Sequence, residues 1–217
     1  NAVAEFKRPN AIRVKGYAER RIISDTAAWE CVVTARDREL QTGYARIKRD
    51  VEACRKRLLA LGAVETELVS GPIATDMLYK RDAKGEPTNE IEFYRLTQTL
   101  SVFTRDVRKA DRLSKEVTDL IAEGIEVRSE RPAFTSSEIE KLKLQLLAEA
   151  TENGRHRAAA LAERGRGRVG DLIAASQGVF QIVPVDSTEV SDYGAYDTTT
   201  IEKSVKAVVT LEYAVAK

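Results

Sequence analysis

The sequence predicts an α+β fold: an antiparallel or mixed β-sheet with three main helices packed on it, in the order ββα-ββα-βα-ββ. Three observations lead there. Several segments alternate apolar and polar residues at strand period, most cleanly near the end of the chain, where Val205, Ala207, Val209, Leu211, Tyr213 and Val215 share one face. One segment steps at helix period instead, with Leu40, Tyr44, Ile47, Val51, Cys54, Leu58 and Leu61 forming a single stripe. The strands also come in pairs with short links, which suits antiparallel pairing and leaves the helices to layer on one face.

Residues 1–10 hold Pro9, mixed charge and no period, and read as a flexible N-terminal arm. Ile12, Val14, Gly16 and Ala18 then alternate with Arg13, Lys15, Tyr17 and Glu19 as a half-buried strand. Ser24-Asp25 turns the chain into a second strand with Ala27, Trp29, Cys31, Val33 and Ala35 on its apolar face. The helical stripe follows, closed by Gly62. Residues 66–79 read as an edge or bulged strand, because Pro72 cannot donate to a ladder. After a loop over 80–89, the strand over 91–103 changes apolar parity between Phe93 and Leu96, the mark of a bulge. A second helix runs from Val107 to its stop at Gly124, and a short strand covers 125–131. The third helix is announced by two overlapping capping boxes, Thr135 with Glu138 and Ser137 with Glu140. Two apolar segments, 172–175 and 179–183, a polar acidic loop over 187–200 and the last strand complete the chain. No stretch reads as a linker, so residues 11–217 form a single domain in this reading.

Composition excludes more than it identifies. With 43% hydrophobic and 32% charged residues, the 217-residue chain can bury a proper core. Its net charge of +1 supplies no field to draw the whole protein to nucleic acid or membrane. No apolar run approaches the roughly 18 residues of a membrane-spanning helix.

Residues 165–170 spell G-x-G-x-x-G. A dinucleotide loop must follow a strand and open a helix, whose N-terminal amides hold the pyrophosphate. Here a helix ends and a strand begins, and a helix C-terminus repels phosphate. The motif is therefore a cap and a tight connection, and no cofactor is expected. Arg164, Arg166 and Arg168 crowd the same turn without interleaved aromatics, which argues against nucleic acid. The acidic segment with Asp186, Glu189 and Asp192 is their more natural partner, within one chain or between subunits. His156, the only histidine, lies between Arg155 and Arg157, a poor site for a metal or a general base. No catalytic set and no metal site emerge. Cys31 and Cys54 both fall on core-facing positions, one on a strand and one on a helix. Packed layers lie about 10 Å apart while a bridge needs Cα atoms within about 7 Å, so two buried thiols and a disulfide both stay open.

The order of several motifs resembles the SIMPL-domain family, bacterial envelope proteins that share a domain with a molecule associating with a Pelle-like kinase. Val14-Lys15-Gly16-Tyr17-Ala18-Glu19, followed by Ser24-Asp25-Thr26-Ala27, is similar to the family's opening V-x-G-x-A-E and D-x-A hairpin. Residues 94–106 resemble its long strand ending in an aspartate, and Ala148, Ala150, Ala158, Leu161 and Ala162 its alanine-rich helix. Gly178-Val179-Phe180-Gln181 and Asp192-Tyr193-Gly194 are similar to one branch of the family. The resemblance implies a non-enzymatic, periplasm-facing module that self-assembles as a homo-oligomer or binds protein, in envelope or oxidative stress. A monomeric adaptor for one partner protein, or an unrecognised hydrolase, are the alternatives. It also implies a signal or membrane anchor ahead of Asn1, and an oxidising compartment that leaves the Cys31–Cys54 bridge evenly balanced against free thiols.

Overall fold

The computed structural model describes residues 10–188 and 190–216. Among these residues, ten strands and three α-helices follow in chain order. The first half runs β1 (Ala11–Ile23), β2 (Thr26–Asp37), α1 (Leu40–Ala60), β3 (Leu68–Arg81), β4 (Pro87–Thr104) and α2 (Val107–Glu116). The second half runs β5 (Glu126–Ser129), β6 (Ala133–Thr135), α3 (Ile139–Arg164), β7 (Arg168–Gln177), β8 (Gln181–Pro184), β9 (Ala195–Tyr196) and β10 (Glu202–Ala216). The expected α+β class holds. The arm expected over 1–10 lies outside the described residues except for Asn10, whose carbonyl accepts from the Val215 N–H at 2.8 Å.

The chain packs as two compact units, where the sequence shows no linker and reads as one domain. An inserted unit spans Ser24–Thr135, and a flanking unit combines the residues before Ser24 with those after Thr135. The division follows from pairing. β1 and β2 are joined by only two residues, yet they do not form the expected hairpin. β1 pairs antiparallel with β10 along its whole length, Ala11 opposite Ala214 and Ile23 opposite Glu202. β2 pairs with β4, and on its other side with β5 and β6. The expected sheet is therefore two five-stranded sheets, one per unit, antiparallel except for β8 with β9.

In the inserted unit, α1 and α2 cover one face of the order β3-β4-β2-β5. Trp29, Cys31, Val33, Ile47, Cys54, Leu58, Leu96 and Leu100 make its core. Each large aliphatic side chain buried there contributes about 2 kcal/mol. The α1 stripe is rotated slightly from its sequence reading. Leu40 and Tyr44 are exposed, while Gly43 and Asp50 are buried. A Cβ at Gly43 would lie 2.8 Å from the Leu96 Cδ1, so a larger residue there requires that side chain to shift. The register of β3 on β4 slips between Leu78 opposite Phe93 and Tyr79 opposite Ile91, beside the parity change in the sequence. β4 begins earlier than expected, at Pro87, because a tight turn through Gly85 replaces the long loop.

In the flanking unit, α3 lies on β1 and β10. Val14, Ala18, Leu146, Ala150, Ala158, Ile182, Val205 and Leu211 form its core. Gly16 on β1 meets Gly154 on α3. A Cβ at Gly16 would overlap the Ala150 carbonyl oxygen and come within 2.9 Å of the Gly154 nitrogen, so helix and strand touch backbone to backbone. The start of α3 departs from the capping-box reading. Thr135 belongs to β6, where its hydroxyl pairs with Thr26 at 2.8 Å. The helix begins after Glu138, which makes no side-chain capping bond. Strand pairing outweighed the local capping signal.

Candidate functional site

A sheet edge is stable in isolation only when something blunts it, because its free N–H and C=O groups are a template for another strand. Most edges here are blunted. β3 carries Pro72, three register slips, and the charges Asp76, Lys80 and Arg81. The outward Tyr17 N–H of β1 is taken by the Asn153 Oδ1 of α3 at 3.0 Å. β5, β6 and β9 have four, three and two residues.

β7 is different. It pairs with β10 on one side, and no strand pairs with its other side among the described residues. From Leu172 to Gln177 it reads Leu-Ile-Ala-Ala-Ser-Gln, without a charge or a proline. Leu172 and Ala175 stand opposite Tyr213 and Leu211, on the sheet face that α3 covers elsewhere. Here that face is bare: Leu172 is 49% exposed, and Ile173 beside it is 47% exposed. The Gly178 N–H donates to the Val208 carbonyl at 2.9 Å. Antiparallel alternation then turns Ser176 and Ala174 toward β10, and Ala175 and Gln177 outward.

At the C-terminal end of β7 the edge runs into a groove of about 520 Å³ lined by Gln177, Phe180, Tyr193, Tyr196 and Lys143. Its walls are held firmly. Gln181 spans to the backbone of Ser191 through both ends of its amide. Gly194 has φ of +85°, with the Phe180 carbonyl 3.0 Å from where a Cβ would stand, a position only glycine fills without strain. Lys143 lies 5.7 Å over the Phe180 ring and also binds Glu140. Tyr193 is 97% exposed, an aromatic side chain that no folding requirement explains.

A second groove, of about 470 Å³, crosses the uncovered face of the inserted unit's sheet. Its arginines are matched by acids: Arg36 with Glu126 at 2.7 Å, Arg95 with Asp76 at 2.9 Å and Arg128 with Glu130 at 2.6 Å. The charges cancel locally, leaving no concentrated field for an anion.

The glycine motif lies where its reading direction places it. α3 ends at Arg164, Gly165 caps it, and β7 starts at Arg168. Arg166 takes a left-handed φ of 59° in the turn. Arg164, Arg166 and Arg168 are exposed, and so are Asp186 and Asp192, while Glu189 lies outside the described residues. Among the described residues no ion pair joins the two groups. Asp186 binds Arg21 at 2.6 Å instead. His156 is exposed on α3, 3.0 Å from Glu152. Cys31 and Cys54 are brought together, fully buried, with their Sγ atoms 3.8 Å apart and unbonded. The neighbouring Cys54 sulfur, together with burial, pushes the Cys31 thiol far up.

The SIMPL family model, described as a protein of unknown function (DUF541), matches residues 12–213. The chain belongs to the SIMPL family. A comparison with curated proteins finds none that matches. The glycine-glycine contact explains why this SIMPL chain has glycine in the middle of its V-x-G-x-A-E motif, and the motif's glutamate is also engaged. Glu19 accepts from the Ser204 and Tyr17 hydroxyls, in that order of effect, and both hold its carboxyl low. Burial and this bond push the Tyr17 phenol up to about 12.

Sequence reasoning missed the SIMPL chain's buried charges, which carry no motif. Lys203 is 1% exposed, and its ammonium reaches the Thr200 carbonyl and lies 3.5 Å from Asp197. Burial would raise the Asp197 carboxyl, but the Thr200 and Thr199 hydrogen bonds and Lys203 hold it down at about 2. Glu67 is held low in the same manner, burial being outweighed by bonds from Lys109, Thr104 and the Val64 N–H. Asp50 is buried on α1 with one carboxylate oxygen bonded by Arg49 and the other without a hydrogen bond. Lys203 with Asp197 and Lys109 with Glu67 are internal pairs, and the second Asp50 oxygen has only the Arg46 guanidinium near it, at 3.7 Å. Among the described residues no three metal-ligating side chains converge.

Proposed function

We propose that this SIMPL chain is a non-enzymatic, periplasm-facing module of the cell envelope that self-assembles through β7. The open β7 edge carries the reading. It offers outward backbone groups, bare apolar side chains on the sheet's core-side face, and an adjoining aromatic groove that can seat a side chain of the added strand. Strand addition uses these parts: main-chain hydrogen bonds for affinity and alternate side-chain pockets for specificity. The family resemblance supports the envelope location and a part in envelope or oxidative stress. Monomeric docking of a partner protein on the same edge is the second reading.

Size-exclusion chromatography with light scattering across a concentration series tests it. Wild-type protein is expected to form a defined oligomer. Ala175→Pro should abolish it without loss of secondary structure, because the proline removes an outward N–H and leaves the β10 ladder intact. Ile173→Lys should weaken it through charge on the edge. A wild-type monomer at every concentration would select the adaptor reading. If the arginine turn also joins subunits, Arg164/Arg166/Arg168→Ser should make the oligomer smaller and less sensitive to salt. Unchanged size and salt response would remove that patch from the interface.

A further inference from the structure

The Cys31–Cys54 pair carries an inference independent of assembly. Cys31 sits mid-strand on β2, held between Leu100 of β4 and Ser129 of β5 by register. Cys54 comes from the buried stripe of α1, between Val51 and Leu58. Neither is accessible to solvent, and the 3.8 Å between sulfurs is contact distance, against about 2.0 Å for a bond. Two unrelated elements therefore deliver two thiols to one point in the core, within reach of a bond by a small shift of side chains and helix. The folded unit also shields them from any reagent.

We propose that Cys31 and Cys54 are an internal cross-link site, closed by exchange with an external disulfide while the inserted unit is folding. In the open chain one cysteine, as thiolate, attacks a sulfur of the donor disulfide. A mixed disulfide forms, and the donor's other sulfur leaves as a thiolate. The second cysteine, also as thiolate, attacks the chain sulfur of that mixed disulfide. The Cys31–Cys54 bond forms and the remaining donor thiolate leaves. The two protons released by the cysteines are taken up by the two departing thiolates. The chain is oxidised by two electrons, and the donor disulfide is reduced to two thiols. Folding supplies the direction, because it brings these two sulfurs together and then seals them. Enclosure of both sulfurs reinforces the seal, and the Cys31 thiol, pushed up by the Cys54 sulfur and by burial, is a poor nucleophile.

The test refolds the protein from denaturant with glutathione disulfide as the donor, or with a reducing dithiol. A third sample meets the same donor as native, reduced protein. Thiols are titrated under denaturing conditions, and thermal unfolding is followed for each. The donor-refolded sample is expected to lose both thiols, stay free of intermolecular cross-links, and melt roughly 5–10 °C above the reduced sample. Native reduced protein should keep both thiols over the same time. The Cys31→Ala/Cys54→Ala variant, which preserves a small apolar core residue at each site, should melt identically in both buffers. Two free thiols after oxidative refolding, cross-links between chains, a lower melting temperature for the bridged form, or equally fast oxidation of the native protein would each overturn the proposal. So would a buffer-dependent melting temperature in the double variant.

Discussion

Gly16→Ala is expected to destabilise the flanking unit by about 3 kcal/mol or more, at the upper end for an overpacked contact. The added methyl would occupy space already held by the Ala150 carbonyl and approach the Gly154 nitrogen at 2.9 Å. Both obstacles are backbone, so no rotamer change relieves them. β1 cannot retreat without disturbing a ladder with β10 that runs unbroken from Ala11 to Ile23. α3 cannot retreat without opening the layer of Leu146, Ala150 and Ala158. Gly154→Ala should cost less, about 1–2 kcal/mol, since its tightest neighbour is the movable Leu211 Cδ1 at 2.6 Å. Gly85→Ala supplies a baseline. It has a positive φ but open space around it, and should lose only about 1 kcal/mol. Urea denaturation followed by circular dichroism checks the order. Equal midpoints for Gly16→Ala and wild type would disprove the backbone contact.

Asp197→Ala is expected to cost about 3–5 kcal/mol, because it strands a buried ammonium. Lys203 is almost wholly enclosed, and without Asp197 its one remaining partner among the described residues would be the Thr200 carbonyl. The reverse change is gentler. Lys203→Met leaves Asp197 with the N–H and hydroxyl groups of both Thr199 and Thr200. The methionine keeps most of the buried apolar stem, so a loss well below that of Asp197→Ala is expected. The carboxyl also imposes a pH dependence. Its folded value, about 2, lies below the ordinary 3.8, so the stability it contributes is complete above pH about 4. That stability is lost as the pH falls through the folded value. The gap in urea midpoint between wild type and Asp197→Ala should therefore be clearly smaller near pH 2 than at pH 6. A gap of the same size at both pH values would contradict this role for Asp197.

Much of the fold was legible in the sequence because it rests on periodicity. The alternation in β10 and the stripe from Ile47 to Leu58 each match one buried row. Gly62 and Gly124, both at positive φ, mark the stops read from glycine alone. What the sequence hid was pairing. Ser24-Asp25 looks like a hairpin turn, and nothing local says that β1 finds its partner at the opposite end of the chain. The same limit explains Thr135, whose hydroxyl serves a strand and not a helix cap. The candidate site was less legible still. Residues 172–175 are apolar enough for strand, but the openness of that strand depends on which partners the others have taken. Cys31 and Cys54 could be placed on facing elements, and the structure added their contact. Lys203 and Asp50 gave no sign of burial, since charged residues are ordinarily exposed.

The nesting of one unit inside the other has a consequence for a chain that emerges from one end. Ser24–Thr135 contains all the strand partners of its own sheet, so it can settle as soon as it has left the ribosome or a translocation pore. β1 emerges before any of it, with its ladder partner still to be made at the far end of the chain. For that interval β1 is a temporarily widowed strand, with Val14 and Ala18 uncovered and nothing of its own sheet to pair with. Contacts so distant in sequence slow folding and lengthen exposure to aggregation. β1, more than any of the strands that follow it, is therefore where a holding chaperone would have most to protect.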